Sequence, residues 1–207
     1  FDIAKISPED KLEKYSLPDT YYMISNQFWK HKNHLVAFDA LEKLYNDGHK
    51  DIHIVCTGEL KDYRDPGYPQ EVKRKIESLQ CGKNIHLLGY IPKRDQLGIM
   101  KRAKGIIQPT LFEGGPGGGA VYAAVTLGKT CLVSDIPVNR EITGCDNVFF
   151  FGADKPEQLS VLMAAHMNDP ADNETDPDEV NAKNRAILGN FIYDTITEAI
   201  GSYRRRE

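Results

Sequence analysis

Short apolar runs alternate with segments of helical spacing along this chain, and no other feature restricts its fold as strongly. The runs are Tyr21-Tyr22-Met23-Ile24-Ser25, Asp51-Ile52-His53-Ile54-Val55-Cys56, Asn84-Ile85-His86-Leu87-Leu88, Gly105-Ile106-Ile107-Gln108-Pro109, Lys129-Thr130-Cys131-Leu132-Val133-Ser134 and Asn147-Val148-Phe149-Phe150-Phe151. Helical stretches are predicted at 33–47, 70–80, 93–103, 119–127, 155–168 and 178–203. Over 33–47, Leu35, Phe38, Leu41, Leu44 and Tyr45 recur on one face, and Gly48 stops the pattern. Strict alternation implies parallel strands joined by crossover helices. Strands this apolar fit a sheet covered on both faces. The expected fold is α/β, a single doubly wound, Rossmann-like domain with a parallel sheet of about six strands over residues 20–207. Residues 1–19, polar and ending in Leu17-Pro18-Asp19, read as a linker or leading segment.

A sheet of this kind takes its ligands at the carboxyl ends of the strands. The site is therefore expected among the loops after Ser25, Gly58, Gly89, Thr110 and Ser134. Composition removes several other functions. Basic residues number 26 against 30 acidic ones, which leaves no nucleic-acid footprint. Arg204-Arg205-Arg206 reads as a solvated helix end. No apolar stretch approaches the ~20 residues of a membrane span. The opening residues do not read as a signal peptide, and a start on Phe1 is expected of a processed chain or a piece of a longer one. None of the four cysteines forms a Cys-x-x-Cys pair, Cys56 and Cys131 read as small core residues, and a reducing, cytoplasmic setting is expected.

Three motifs read as decoys. Gly128-Lys129-Thr130 resembles the end of a P-loop, but Ala123 stands where its first glycine belongs and the tripeptide enters a strand. Asp176-Pro177-Asp178 with Glu179 reads as a helix cap rather than a metal motif. His31 and His34 lack further ligands nearby, so no metal is expected there.

The segment that points to chemistry is Glu113-Gly114-Gly115-Pro116-Gly117-Gly118-Gly119, between a strand and a helix. Glycines there let backbone N–H groups approach an anion, and the helix N-terminus adds partial positive charge. A flexible turn is the bland alternative. The dinucleotide spacing Gly-x-Gly-x-x-Gly is not met. A second feature, Asn26-Gln27-Phe28-Trp29-Lys30-His31-Lys32-Asn33-His34, follows the first strand. Lys30 reads as a solvent-facing charge. Lys32 fits either that role or neutralisation of a phosphate.

Leu111-Phe112-Glu113 with its glycine loop, then Gly128, then Val133-Ser134-Asp135-Ile136-Pro137-Val138-Asn139-Arg140-Glu141-Ile142, resembles the retaining family 4 glycosyltransferases. The likeness is to their C-terminal, nucleotide-sugar-binding domain in the two-domain GT-B fold, over about residues 18–170. The resemblance implies a role for each matching position. Glu113, the first acid of a paired-glutamate motif, contacts the donor sugar. Gly117, Gly118 and Gly119 offer N–H groups to the sugar and diphosphate. Lys32 neutralises the diphosphate, and the backbone at Tyr90 and Ile91 meets the nucleobase. Two positions depart from the family. Gln27 stands where an arginine is common. Counting back from Gly128, Ala123 stands where the second glutamate would hold the ribose, a loss of about 1.5–3 kcal/mol of donor binding.

The resemblance implies a domain that binds a nucleoside-diphosphate sugar, with neither cofactor nor metal. The full enzyme transfers the sugar to an acceptor hydroxyl with retention, in bacterial polysaccharide or glycoconjugate synthesis. Its N-terminal acceptor-binding domain is expected as a missing partner, and peripheral membrane association of the longer enzyme is compatible with it. Alone, the fragment is expected to be inactive. The alternative is a non-catalytic, transferase-like module that binds nucleotide weakly or serves assembly of a larger polymer-synthesising protein. A nucleotide-sugar epimerase of GT-B fold fits less well, lacking the Glu113 loop followed by Asp135-Ile136-Pro137.

Overall fold

The computed structural model describes residues 6–142, 144–169 and 182. Six strands form one sheet: β1 (Tyr21–Ser25), β2 (His53–Thr57), β3 (Ile85–Leu87), β4 (Gly105–Gln108), β5 (Thr130–Ser134) and β6 (Val148–Phe151). All pairings are parallel, in the order β3-β2-β1-β4-β5-β6. The chain winds outward from β1 through β2 to β3, then returns to the other side of β1 with β4. That reversal opens a crevice between the carboxyl ends of β1 and β4.

The sheet is covered on both faces, and the alternation of side chains along each strand decides which residue goes where. Tyr22, Ile24, Ile54, Cys56, Ile107 and Leu132 pack under α2 (His34–Asn46), α3 (Tyr68–Ser78) and α6 (Pro156–His166). On the opposite face, Tyr21, Met23, Val55, Ile106, Cys131 and Val133 meet α4 (Lys93–Arg102) and α5 (Gly118–Thr126). Two consecutive tyrosines pin one helix to each face. Tyr21 donates to the Ile99 carbonyl at 2.7 Å and Tyr22 to the Met163 carbonyl at 2.6 Å. Burial pushes both phenol pKa values up.

The leading segment is more than linker. Glu9–Tyr15 forms a helix, α1, which lies against α4 through Asp95, an acid 5% exposed. Its carboxylate accepts from Lys14 Nζ at 2.6 Å and the Tyr15 hydroxyl at 2.7 Å, with Lys11 Nζ at 3.4 Å. Seven residues give little periodicity, and the polar side chains that fold the helix do so through a partner 80 residues away. Gly128-Lys129-Thr130 enters β5 as expected of a helix-to-strand turn. Cys56 and Cys131 are buried core residues. The Asp176 motif, the Arg204–Arg206 run and, but for Ala182, the helix expected over 178–203 lie outside the described residues. Among the described residues, no helix is long and apolar enough to cross a membrane.

Candidate functional site

The crevice at the reversal point holds a cavity of about 370 Å³, within the size range of small-molecule sites. Four loops and one helix end build it. The β1 loop supplies Asn26, Gln27, Trp29 and Lys32, and β2 ends in Thr57 and Gly58. The segment after β3 supplies Tyr90, Ile91, Lys93 and Gln96; beyond β4 come Glu113, Gly118, Gly119 and Ala120. The loop after Ser134 does not reach the lining.

Lys32 and Glu113 stand 81 residues apart in sequence and form an ion pair, Lys32 Nζ donating to Glu113 Oε1, with side chains 12% and 10% exposed. The doubly wound topology alone brings them together. Lys32 ends a tight 3-10 turn, Lys30–Lys32, whose closing N–H bonds to the Trp29 carbonyl at 2.8 Å. The β4 loop is tied to that turn by the Leu111 N–H on the His31 carbonyl at 2.7 Å. Glu113 is also held from below. Gln108 Nε2 donates to the same carboxylate oxygen at 2.7 Å, and Asn26 Nδ2 donates to Gln108 Oε1 at 2.8 Å. Gln108 is 1% exposed, a polar group tolerated in burial at a strand end because both of its side-chain polar atoms have a partner.

The other carboxylate oxygen faces the start of α5. A Cβ on Gly118 would lie 3.4 Å from Glu113 Oε2, and Gly118 has φ +61°. Glycine there answers both demands, left-handed backbone and close approach to the acid. Gly58 is stricter: φ is +119° and a Cβ would lie 2.2 Å from the Asn26 carbonyl oxygen. The β1 and β2 loops meet without side-chain clearance at that point.

The sequence-predicted residues divide. Lys32, Glu113, Gly118, Gly119, Tyr90, Ile91 and Gln27 line one cavity. Gly117 does not. It is buried, and its N–H donates to Asn139 Oδ1 at 2.9 Å, so it is committed within the protein rather than to the cavity. Asn139, itself 0% exposed, donates in turn to the Ser134 carbonyl at 2.9 Å. The segment after Ser134 therefore braces the glycine loop from behind. The N–H groups of Gly118 and Gly119, in the first turn of α5, have no acceptor within the helix. Ala123 also lies outside the lining. It stands one turn beyond Gly119 on the same helix face, half-buried against the core. Gln27 accepts the Glu59 N–H at 2.8 Å through Oε1, which leaves its NH₂ as the free end.

Several lining residues had no signal strong enough to single them out. Gln108 was visible only as a polar residue in an apolar strand. Gln96 donates to the Ser25 hydroxyl at 2.6 Å and accepts from Lys93 Nζ at 2.8 Å, a polar floor assembled from α4 and the end of β1. Burial lowers the Lys93 pKa. His31 is lowered too, first by burial and then by Lys32. Among the described residues, no group of three or more His, Cys, Asp or Glu side chains is placed to hold a metal ion.

Residues 9–185 match the family described as glycosyl transferases, group 1. No curated protein matches the chain. Among solved structures, a glycosyltransferase from Rickettsia africae superposes with a TM-score of 0.66 at 23% identity, over 79% of this chain and 43% of its own. Anabaena HepE, solved in complex with UDP, gives 0.66 at 14% identity, over 92% of this chain and 56% of its own. The C-terminal domain of LpcC, a glycosyl transferase group 1 family protein from Francisella tularensis, gives 0.66 at 16% identity, over 82% of this chain and 88% of its own. At these identities the likeness is one of fold. The chain spans about half the length of the first two structures and most of the isolated C-terminal domain.

Proposed function

The chain belongs to the group 1 glycosyl transferases, and we propose that it is the donor-binding domain of a retaining enzyme that takes a sugar from a nucleoside diphosphate. One observation carries the reading: the nearly buried Lys32–Glu113 pair at the reversal point of the sheet, beside the first turn of α5. Lys32 has three donors and spends one on Glu113, leaving two for phosphate oxygens. The N–H groups of Gly118 and Gly119 add the positive end of the helix. Together they stabilise the charge that develops on the diphosphate as it leaves. Glu113, held by Lys32 and Gln108, accepts hydrogen bonds from the donor sugar. The Tyr90–Ile91 backbone takes the base. The acceptor hydroxyl then attacks with retention of configuration, in the building of a polysaccharide or glycoconjugate. A second domain closes the cleft and brings the acceptor, as the doubled length of the structural neighbours supports. Neighbours solved with UDP make a uridine nucleotide the first ligand to try.

A non-catalytic module that binds nucleotide weakly is favoured by one residue, Ala123, at the position of the family's ribose-binding acid.

Trp29 is the only tryptophan and lines the cavity, so its fluorescence reports occupancy. UDP, GDP and ADP are titrated into the chain and into Lys32→Ala. A saturable change with at least one diphosphate is expected, and weaker binding by about tenfold or more in the variant. No change with any of the three at millimolar concentration removes the donor-site reading.

A further inference from the structure

From Trp29, which lines the cavity, a strip of aromatic rings extends through three loops. Phe112, immediately before Glu113, packs edge-on against His31, with ring centroids 6.3 Å apart. His31 lies 5.6 Å from Trp29, and Trp29 lies 6.5 Å from Tyr63 in an edge arrangement. The Arg64 guanidinium sits over both final rings, 5.3 Å from the Trp29 centroid and 4.9 Å from that of Tyr63. Tyr63 is 67% and Phe112 66% exposed, far beyond what packing alone asks of large rings.

The strip is a held surface. Asp62, 4% exposed, accepts the Lys30 N–H at 2.8 Å and the Arg64 N–H at 2.9 Å. These bonds fold the β2 loop onto the β1 loop and lean Tyr63 and Arg64 over Trp29. The Lys30 N–H is the first of the contacts that hold the Asp62 carboxyl below its ordinary range.

We propose that this strip is a saccharide subsite for the acceptor, laid so that its end meets the donor sugar; the proposal rests on the donor-site reading above. Position supports it. Trp29 belongs to both strip and cavity, and Phe112 abuts the acid assigned to the donor sugar. Chemistry supports it as well. A sugar ring offers C–H groups on its faces and hydroxyls at its edge. Trp29 and Tyr63 present apolar bodies; Arg64 Nε donates to the Tyr63 hydroxyl at 2.9 Å, and its terminal NH₂ groups remain for sugar hydroxyls.

The test is saturation-transfer NMR on the full chain with saturating UDP and two probes, methyl α-glucopyranoside and maltotriose, repeated with Tyr63→Ala and Arg64→Ala. Both residues are exposed and outside the cavity lining, so the fold is unaffected. Transfer to the probe's ring protons is expected in the unmodified chain, with binding weakened about threefold or more in each variant and UDP affinity unchanged. Absence of transfer from both probes overturns the subsite, as does equal transfer in the variants. A loss of UDP affinity in Tyr63→Ala also overturns it, because the strip would then be carrying the nucleobase. Failure of UDP, GDP and ADP alike to bind in the Trp29 titration sinks the donor-site reading instead, and so the two are told apart.

Discussion

His34 is fully buried at the start of α2, stacked at 4.1 Å on Phe28, and neither ring nitrogen has a hydrogen-bond partner among the described residues. Burial, aided by Lys32, pushes its pKa from 6.5 down to about 3. The folded state therefore holds it neutral where the unfolded chain would protonate it. That contribution is complete above pH 6.5 and is lost progressively as pH falls toward 3. His34→Phe keeps the stack and removes two unpaired polar atoms. Stability should rise by about 1–3 kcal/mol at neutral pH, and the fall on acidification should flatten. Urea unfolding at pH 7 and pH 5 measures both, and an unchanged pH slope refutes the account. Ala123 makes a second residue-scale prediction. A glutamate there, one turn beyond Gly119, should tighten nucleoside-diphosphate binding about tenfold or more, the scale of a charged hydrogen bond to the ribose. A nucleotide without ribose hydroxyls should gain nothing. Calorimetry with both ligands decides, and equal affinities before and after substitution would show that position 123 does not face the ribose.

At the scale of elements, α1 is attached to α4 by a few polar contacts around one carboxylate. Lys14, then Tyr15 and Lys11, hold the Asp95 carboxyl down to about 2 against the opposing effect of its burial. The attachment is complete above the carboxyl's ordinary value of 3.8 and is lost as pH falls through about 2. Lys14 remains in water, which limits the pair's worth. Asp95→Asn should cost about 1 kcal/mol at neutral pH, seen as a few degrees in melting temperature. The difference between the two proteins should shrink as pH approaches 2. A constant difference from pH 7 to pH 2 would assign the effect to packing rather than charge. Because α4 opens with Lys93 and also carries Gln96, this clamp bears on the cavity floor.

For the molecule as a whole, a site at the edge of a single domain is open on one side. Binding can be complete there while chemistry is not, since transfer needs the acceptor oriented and water excluded. The chain alone should bind a nucleoside-diphosphate sugar yet transfer no sugar to added acceptors. Calorimetry paired with a radiolabelled-donor assay reads both. Turnover by the chain alone would mean that the strip and cavity suffice without a second domain.

What the sequence determined by itself is what depends on neighbours along the chain. Apolar runs such as 129–134, and the helical spacing of Leu35, Phe38 and Leu41, specify strand and helix locally and, by their alternation, a doubly wound sheet. Glu113 with Gly118 and Gly119 stood out because unusual residues fell in the loops such a sheet places at one edge, whereas the residues by themselves left Lys32 between a solvent charge and a phosphate contact, and it entered through the family resemblance. Only the folded chain decided which groups meet. Gln108 became the support of Glu113, and Asn139 took the Gly117 N–H, through bonds between segments distant in sequence. The helix at Glu9–Tyr15 depends on Asp95 in the same way. Local periodicity carries no record of a hydrogen bond whose partner arrives from another loop; that partner is fixed when the sheet brings its strand ends together.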